Sequence, residues 1–307
     1  EVGELSSQIA YKLLLYTIQF NQYRYSYSMI TFFSIPKPFQ GIYDIIQRNA
    51  ILSWKKLKPE CEIIVFSDDP SVAKFSIKNE IKCIDKYESN SYGTPLLDGI
   101  WKSTREISTN DLICYINSDI ILFPEFLIEI KKLQFKKFLI AGRRWDLDIE
   151  FLIDFDSDWE KNLKELINKE GSLHSETGAD YFLFPKVVMP KMLPFAIGRT
   201  TWDNWLFNYF SNIECPIIDG TFITTVHQNH DYSHIKTDKA KSFKGTEAKI
   251  NVELANLKYW EMLNISDSTH ILSENGIKKV PLFKKIVRLF ERYFLTTISN
   301  IKNKFKT

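Results

Sequence analysis

The chain has 307 residues, a length that suits one large α/β domain or one domain with appendages. Hydrophobic residues make up 44% of it and charged residues 25%, which is the balance of a soluble protein with a real core. The formal net charge of +2 excludes a general nucleic-acid binder, because binding to phosphate backbones needs a strong basic excess.

The four cysteines predict reduced thiols in a cytoplasmic protein. Cys61, Cys83, Cys114 and Cys215 all lie in apolar, strand-like segments, and no two of them form a Cys-x-x-Cys pair. This spacing supports neither a zinc knuckle nor a redox motif, so we expect the thiols to lie in the core. No apolar run reaches the roughly 18 residues that a membrane span requires.

The first half of the chain alternates between short apolar runs and amphipathic stretches. Residues 1–27 are predicted to form an N-terminal helical segment, and one catalytic domain is predicted over 28–260. Within the first half of that domain, strands are predicted over 28–35, 62–69, 111–119 and 138–144, and helices over 42–57 and 94–107. This alternation predicts parallel strands with crossover helices, a Rossmann-like doubly wound sheet. Ligands of such sheets bind beyond the carboxyl ends of the strands, where FSDD, NSD and GRR fall in this sequence.

The second half of the domain is less regular. We predict a helix over 156–169, a strand over 177–185 behind a small-residue turn, and a helix over 200–210 with an inward apolar face. Residues 215–234 are predicted to form a strand pair that ends in a polar, histidine-rich loop.

The C-terminal part, 261–307, is predicted to be a linker followed by a basic amphipathic helix. Residues 282–306 contain five Lys and two Arg against one Glu, a net charge of +6 that leaves −4 for the rest of the chain. Aromatic and aliphatic residues recur along one stripe of this segment. The pattern fits an interfacial anchor at the inner membrane face, and it also fits a helix docked on the domain with solvated lysines.

Asn117-Ser118-Asp119 follows an apolar strand and interrupts an otherwise apolar segment. A carboxylate at this place can hold Mg²⁺ or Mn²⁺, and that ion can bridge two phosphates. A turn that ends the strand is the simpler interpretation of the tripeptide alone. Asp146-Leu147-Asp148 is a rival acidic pair, and its place behind Arg143 and Arg144 indicates a loop paired with arginine, in the acceptor site.

Three of the five histidines lie within eight residues, at His227, His230 and His234. Histidine is the commonest metal ligand at neutral pH. Two or three of these side chains can form a zinc site, but no second cluster of soft ligands accompanies them. We therefore favour one histidine that completes the coordination of a metal at Asp119.

Asp203 and Asp180 are the candidate catalytic bases. Asp203 lies at the start of a predicted helix between two tryptophans, where burial among aromatic rings raises the pKa of a carboxyl group. The same position also suits an aspartate that only stabilises the helix N-terminus. Asp180 competes for the role, because the Gly178-Ala179 turn before it lets a ligand approach the backbone.

In their order along residues 28–235, these features resemble the GT-A glycosyltransferases, the nucleotide-diphospho-sugar transferases. The segments that carry the resemblance are MITFFSIPKPFQG, IIVFSDD, YINSD, TGADYFLFP, WDNWL and VHQNHDYSH. The resemblance implies a mixed, doubly wound sheet of GT-A type with a C-terminal helical appendage. It also implies a nucleotide-diphosphate sugar donor, a Mn²⁺ or Mg²⁺ cofactor, and a glycan or lipid-linked acceptor in polysaccharide biosynthesis.

The resemblance also implies roles for single residues. Asp119 would hold the metal and the diphosphate, with Asn117 facing the ribose or the metal. His227 or His230 would be the late metal ligand, and Asp203 the base of an inverting transfer. The remaining candidates for contact with the nucleotide sugar are Asp68, Asp69, Ser118 and Arg143.

Asn117 departs from the Asp-x-Asp pattern and leaves one acidic ligand. Without a base at Asp203, a retaining transfer assisted by the donor phosphate is the alternative. Two other functions stay open, namely a sugar-phosphate nucleotidyltransferase and an inactive GT-A module that binds glycans. The first would need a glycine-rich phosphate loop, and FSIPKPFQG has one glycine.

Overall fold

The structure is a computed structural model that describes residues 29–230 and 245–281, together with seven residues between 283 and 291. The helix predicted over 1–27 and the candidate ligand His234 lie outside the described residues. No helix within the described part is both long enough and apolar enough to cross a membrane.

The strands and helices follow the predicted alternation. The strands are β1 (Ile30–Ser34), β2 (Glu62–Phe66), β3 (Lys82–Ile84), β4 (Leu112–Ile116), β5 (Ile120–Leu122), β6 (Leu139–Ala141), β7 (Trp145–Leu147), β8 (Ser172–Leu173), β9 (Tyr181–Pro185), β10 (Ile217–Asp219), β11 (Thr225–Gln228), β12 (His270–Ser273) and β13 (Gly276–Lys279). The α-helices are α1 (Ile42–Lys55), α2 (Pro70–Lys78), α3 (Leu97–Ile107), α4 (Glu125–Ile130), α5 (Trp159–Glu170), α6 (Trp202–Asn212) and α7 (Thr246–Ala255).

The main sheet is mixed and doubly wound, so the predicted fold class is confirmed. Its described strands have the order β13-β12-β10-β6-β9-β4-β1-β2-β3. The strands β4, β1, β2 and β3 are parallel, and β9 runs antiparallel between β4 and β6. The carboxyl ends of the parallel strands therefore meet the N-terminal end of β9 at one edge of the sheet.

Consecutive side chains of β1 fill the two faces of this sheet, as the strand repeat of two requires. Phe32 is fully buried on one face, where its ring lies 6.0 Å from that of Trp54 of α1. Phe33 is fully buried on the other face, with its ring 4.7 Å from that of Trp101 of α3. Helices therefore cover both faces of the sheet, and a ligand can reach it only at the ends of the strands.

A second, four-stranded sheet with the order β5-β11-β7-β8 lies beside the main one. The turn after β4 leads directly into β5, which pairs antiparallel with β11 so that Ile120 lies opposite His227. The second sheet also packs on α5 through a small apolar cluster around Trp159. One strand pairing thus brings residues 119 and 227 together, although they are distant in the chain.

A buried amide fixes this pairing. The Gln228 side chain donates to the carbonyl oxygens of Ile46 (2.7 Å) and Asp119 (3.1 Å), and it accepts from Asn49 Nδ2 (3.0 Å). Gln228 and Asn49 are both almost fully buried. Helix α1, the Asp119 turn and β11 therefore share one hydrogen-bond junction.

Two details differ from the sequence prediction. Residues 270–279, predicted as linker, form β12 and β13, which extend the main sheet beyond β10. Strands β10 and β11, predicted as a pair, belong to different sheets, because β10 pairs with β6 whereas β11 pairs with β5 and β7. Apolar alternation identified these strands but could not identify their partners.

We predict that Gln228→Leu lowers the free energy of unfolding by about 2–4 kcal/mol, because the apolar side chain removes three buried hydrogen bonds, one with Asn49 and two with carbonyl groups. Urea unfolding measures the change. The control Gln134→Leu alters an exposed side chain and should change stability by less than about 0.5 kcal/mol. Equal unfolding curves for the two variants would show that the junction is not important for stability.

Candidate functional site

Asp119 lies in the turn that joins the two sheets, at the carboxyl end of β4. The turn is closed by a hydrogen bond from Ile120 N to Asn117 O of 3.2 Å. His230 Nε2 lies 3.2 Å from Asp119 Oδ2, and His227 Nε2 lies 3.9 Å from the same oxygen. One ligand atom from each of the three residues lies within 4.8 Å of the others, so the group can hold a metal ion.

The ionisation and hydrogen bonding of Asp119 are suited to binding a cation. Burial acts to raise the pKa of this carboxyl group, but the hydrogen bond to His230 and the positive charges of His227, His230 and Lys37 lower the pKa to about 2. Asp119 is therefore ionised at neutral pH. Its Oδ1 is buried and has no hydrogen-bond partner among the described residues. A buried, ionised and unpartnered oxygen beside two imidazoles is a donor set that divalent cations accept.

Asp146 orients His227 from the side opposite to Asp119. Its Oδ1 lies 3.2 Å from His227 Nδ1, and its Oδ2 lies 2.7 Å from His174 Nδ1. Burial opposes ionisation of Asp146, but the hydrogen bonds to His227 and His174 and the charge of Arg144 hold its pKa well below the usual range. A carboxylate on Nδ1 keeps the proton on that nitrogen and leaves Nε2 to bind metal.

The literal Asp-x-Asp pair is therefore a supporting element of the site and not a ligand set of its own. Asp146 lies on β7 and pairs with Arg144, as the sequence indicated, with 3.2 Å between Arg144 Nε and Asp146 Oδ1. Asp148 accepts a hydrogen bond from the exposed Asn229. A strand, and not the expected loop, carries Asp146 to His227.

Asn117 acts as a hydrogen-bond donor to Asp180. Its Nδ2 lies 2.6 Å from Asp180 Oδ1, and its Oδ1 accepts from the Tyr115 hydroxyl at 2.8 Å. The backbone N of Asn117 also donates to Asp180 O at 2.8 Å. The amide oxygen that was expected to face ribose or metal is thus engaged with Tyr115, and an aspartate at 117 could not donate to Asp180.

Asp180 is paired on both oxygens. Oδ1 accepts from Asn117, and Oδ2 forms an ion pair with Nη1 of the partly buried Arg144. Arg144 thereby joins Asp180 to Asp146, and through Asp146 to His227. Because both oxygens of Asp180 are already engaged, the geometry favours Asp203 of the two candidate bases.

Asp203 lies in the first turn of α6, at the same edge of the main sheet. The preceding Trp202 places its ring 5.2 Å from the Tyr115 ring, above the end of β4. Burial raises the pKa of Asp203 to about 6, against hydrogen bonds from the backbone and with help from the negative charge of Asp180. A carboxyl group with this pKa can take up a proton near neutral pH.

The backbone that precedes α6 is strained, and hydrogen bonds from α7 hold it in place. Thr201, which precedes the helix, has φ 87°, in the left-handed region that disfavours a β-branched residue. Asn251 of α7 is fully buried and hydrogen-bonds to Ala196 N, Ala196 O and Thr200 O. These bonds fix the segment that leads to Asp203.

The other predicted contacts with the nucleotide sugar have assigned partners. Asp69 caps α2 and accepts from Ser71 N at 2.8 Å, whereas the exposed Asp68 accepts from the Tyr87 hydroxyl at 3.0 Å. Arg143 donates from Nε to His174 O at 2.5 Å, so Arg144 and not Arg143 reaches the carboxylates. Of the two aspartates after β2, Asp68 is the one whose side chain is not used for capping.

Sequence reasoning missed Lys37 and Gln47. The Gln47 amide accepts from Lys37 N (2.7 Å), donates to Lys37 O (2.9 Å) and accepts from the Ser118 hydroxyl (3.0 Å). The Lys37 ammonium lies 4.3 Å from the centre of the Tyr43 ring, and its charge acts on Asp119. A buried glutamine on the inner face of α1 was the available signal, because such an amide needs specific partners.

We predict that Asn117→Asp destabilises the chain by about 1–3 kcal/mol at pH 7.5, because the new carboxylate cannot donate to Asp180 and repels it. The deficit should shrink as the pH is lowered, since a protonated carboxyl group regains a donor. Thermal and urea unfolding at several pH values measure both effects. Asn229→Asp, at an exposed asparagine that also donates to an aspartate, is the matched control and should show a smaller deficit. A more stable Asn117→Asp variant would contradict the assigned role of the amide.

The chain was compared with known proteins. No family model and no curated protein matches it. Among solved structures, it is similar to the mannosyltransferase PcManGT from Pyrobaculum calidifontis in complex with GDP-Man and Mn²⁺, with 9% identity and a TM-score of 0.42. That match covers 71% of this chain and 65% of that chain, slightly under two thirds of the other protein.

Two further matches have similar scores. Glucosyl-3-phosphoglycerate synthase from M. tuberculosis is 12% identical over 76% of this chain and 83% of that chain, with a TM-score of 0.42. The 4-diphosphocytidyl-2C-methyl-D-erythritol synthase from Anaerococcus prevotii DSM 20548 is 13% identical over 75% of this chain and 98% of that chain, with a TM-score of 0.37. The TM-scores of all three matches lie below 0.5.

Proposed function

We propose that this protein is a glycosyltransferase of GT-A type that moves a sugar from a nucleotide-diphosphate donor to a hydroxyl group of a glycan or lipid-linked acceptor. The observation that carries the proposal is the group Asp119, His227 and His230 at the carboxyl end of β4. Its buried Asp119 oxygen has no partner among the described residues. Doubly wound sheets bind their ligands at this edge.

The charges around the group support a cation and a phosphate ligand. Asp146 and Asp180 form ion pairs with Arg144, and Asp119 lies beside His227 together with Asp146. Three carboxylates thus share one guanidinium when the histidines are neutral. A divalent cation removes this excess of negative charge. Lys37, held near the same turn by Gln47, then provides a positive charge for an anionic ligand.

Asp119, His227 and His230 would hold Mn²⁺ or Mg²⁺, and the ion would neutralise the charge that develops on a leaving diphosphate. Asp146, which lies beside Nδ1 of His227, would leave Nε2 free to bind the ion. The oxygen ligand suits either metal, whereas two imidazole ligands favour Mn²⁺ over Mg²⁺. Zinc at His227 and His230 without a sugar donor is the competing interpretation, and it gives no role to Lys37.

Asp203 is the base in this proposal. The acceptor oxygen bonds to the anomeric carbon, the bond from that carbon to the diphosphate oxygen breaks, and the hydroxyl proton passes to the Asp203 carboxylate. Attack on the face opposite the leaving group inverts the anomeric centre. A retaining transfer would need no base at this position, so the role of Asp203 separates the two outcomes.

The alternatives predict different behaviour toward nucleotides. A nucleotidyltransferase binds a nucleoside triphosphate and a sugar phosphate, and residues 35–41 after β1 contain one glycine for a phosphate loop. An inactive module would bind glycan without nucleotide. An inactive glycan-binding module gives no role to the metal group at the end of β4. A nucleotidyltransferase would also use a metal ion, so only the missing phosphate loop disfavours that alternative.

We predict that Asp119→Asn removes metal-dependent nucleotide binding. The wild-type chain should bind UDP or GDP, or one of their sugars, more tightly with Mn²⁺ than with a chelator, and the variant should lose at least about tenfold in affinity, since a neutral amide is a weak metal ligand. Isothermal titration measures this. Asp111→Asn, at the exposed opposite end of β4, is the matched control and should bind like wild type. Equal affinity for both variants, or no nucleotide binding by the wild type, would overturn the proposal.

We predict that Asp203→Asn lowers turnover by about 10²–10⁴-fold while donor binding is kept. The carboxyl group with a pKa of about 6 works as a base only when ionised, so kcat/KM should rise with pH and level off above about 6. Release of nucleoside diphosphate by transfer to water is the assay, since it needs no sugar acceptor. The variant should lose the acidic limb of the pH profile. Unchanged turnover would remove Asp203 as the base and leave the retaining mechanism.

A further inference from the structure

The described residues after Pro281 form a helical segment whose apolar side chains face solvent. Phe283 is 74% exposed, Phe290 70%, Ile286 42% and Val287 37%. These four residues are spaced i, i+3, i+4 and i+7, so they lie on one face of the helix. No other described segment exposes two phenylalanines on one helical face.

The segment starts directly at the edge of the main sheet. Val280 is buried and its N donates to Thr269 O at 2.8 Å, and the turn continues with Lys284 N bonded to Pro281 O at 3.0 Å. The helical segment is thus joined to a rigid strand without a long linker. Its apolar face is nevertheless not covered by the described part of the domain.

The charge of the segment indicates what covers this face. Lys284 and Arg288 flank the apolar residues, and residues 282–306 together carry a net charge of +6 in a chain whose remainder is negative. A second copy of the chain would bring two such segments together and would repel. An anionic lipid surface accepts phenylalanine into its interface and attracts lysine and arginine.

We propose that the described helical residues between 283 and 291 bind the protein to the surface of a membrane that contains anionic lipids. The apolar face enters the interface, the basic residues contact the headgroups, and the domain is held close to the bilayer. This inference rests on the exposed helix and its charge, and it does not depend on which reaction the domain catalyses.

Vesicle flotation of the full chain tests the proposal. Wild type should float with phosphatidylglycerol–phosphatidylcholine vesicles and much less with pure phosphatidylcholine, and added salt should weaken the binding. The double variant Phe283→Ser, Phe290→Ser should lose at least about tenfold in the ratio of bound to free protein. Phe151→Ser removes a phenylalanine that is 55% exposed elsewhere and should float like wild type.

A charge variant and the oligomeric state complete the test. Lys284→Glu with Arg288→Glu should reduce flotation with anionic vesicles while the apolar face stays intact. Flotation that is independent of lipid charge, or equal for the wild type and the double phenylalanine variant, would overturn the proposal. A dimer in light scattering that the phenylalanine variant dissociates, without any flotation of the wild type, would assign the face to a second copy instead.

Discussion

The buried amide of Gln228 is the constraint on which the geometry of this protein depends. It contacts α1 through Ile46 and Asn49 and contacts the turn at Asp119, while its own strand carries His227. An amide inside an apolar core must find partners for its donor and acceptor, and only one register of β11 against β5 supplies them here. The Gln228 amide thus fixes the position of the Asp119 carboxylate relative to the His227 imidazole, although it is part of neither side chain.

The three carboxylates Asp146, Asp180 and Asp203 have different electrostatic environments. Asp146 is strongly ionised beside His227 and His174, Asp180 is held by Arg144 and Asn117, and Asp203 has a raised pKa. Their environments assign them different chemistry, although the residue type is the same. Asn117 is part of this order, because its amide supplies the donor that connects Asp180 to β4. The departure from the Asp-x-Asp pattern at residue 117 is therefore explained by the hydrogen bond that the Asn117 amide donates to Asp180.

Much of the main sheet could be predicted from the sequence, because apolar runs of five residues and helical spacing are local signals. The ends of β2 and β4, the strand at 181–185 and the helix at 202–212 all follow from such patterns. Partner choice could not be predicted. The separation of β10 from β11, and the joining of residues 270–279 to the main sheet, depend on contacts between distant segments.

The candidate site shows the same division. Asp119 and the histidine cluster could be named from type and position, because strand-end carboxylates and clustered imidazoles are distinctive. Lys37 and Gln47 could not, since their role arises from a loop folded back on α1. Asp69 shows a different difficulty, because a helix cap and a ligand contact both place a carboxylate after a strand, and in the structure Asp69 caps α2.

The strained backbone before α6 has a consequence for how this protein can change. Thr201 is a β-branched residue at φ 87°, and glycine would adopt that conformation without steric cost. A glycine there would also give the segment before Asp203 more accessible conformations. The relief of backbone strain would stabilise the fold, whereas the added flexibility would destabilise it. Asn251 shifts this balance toward rigidity by fixing Thr200 and Ala196 from a separate helix. The position of Asp203 is therefore a compromise between stability and order, and substitutions in α7 can alter it without any change in the candidate site.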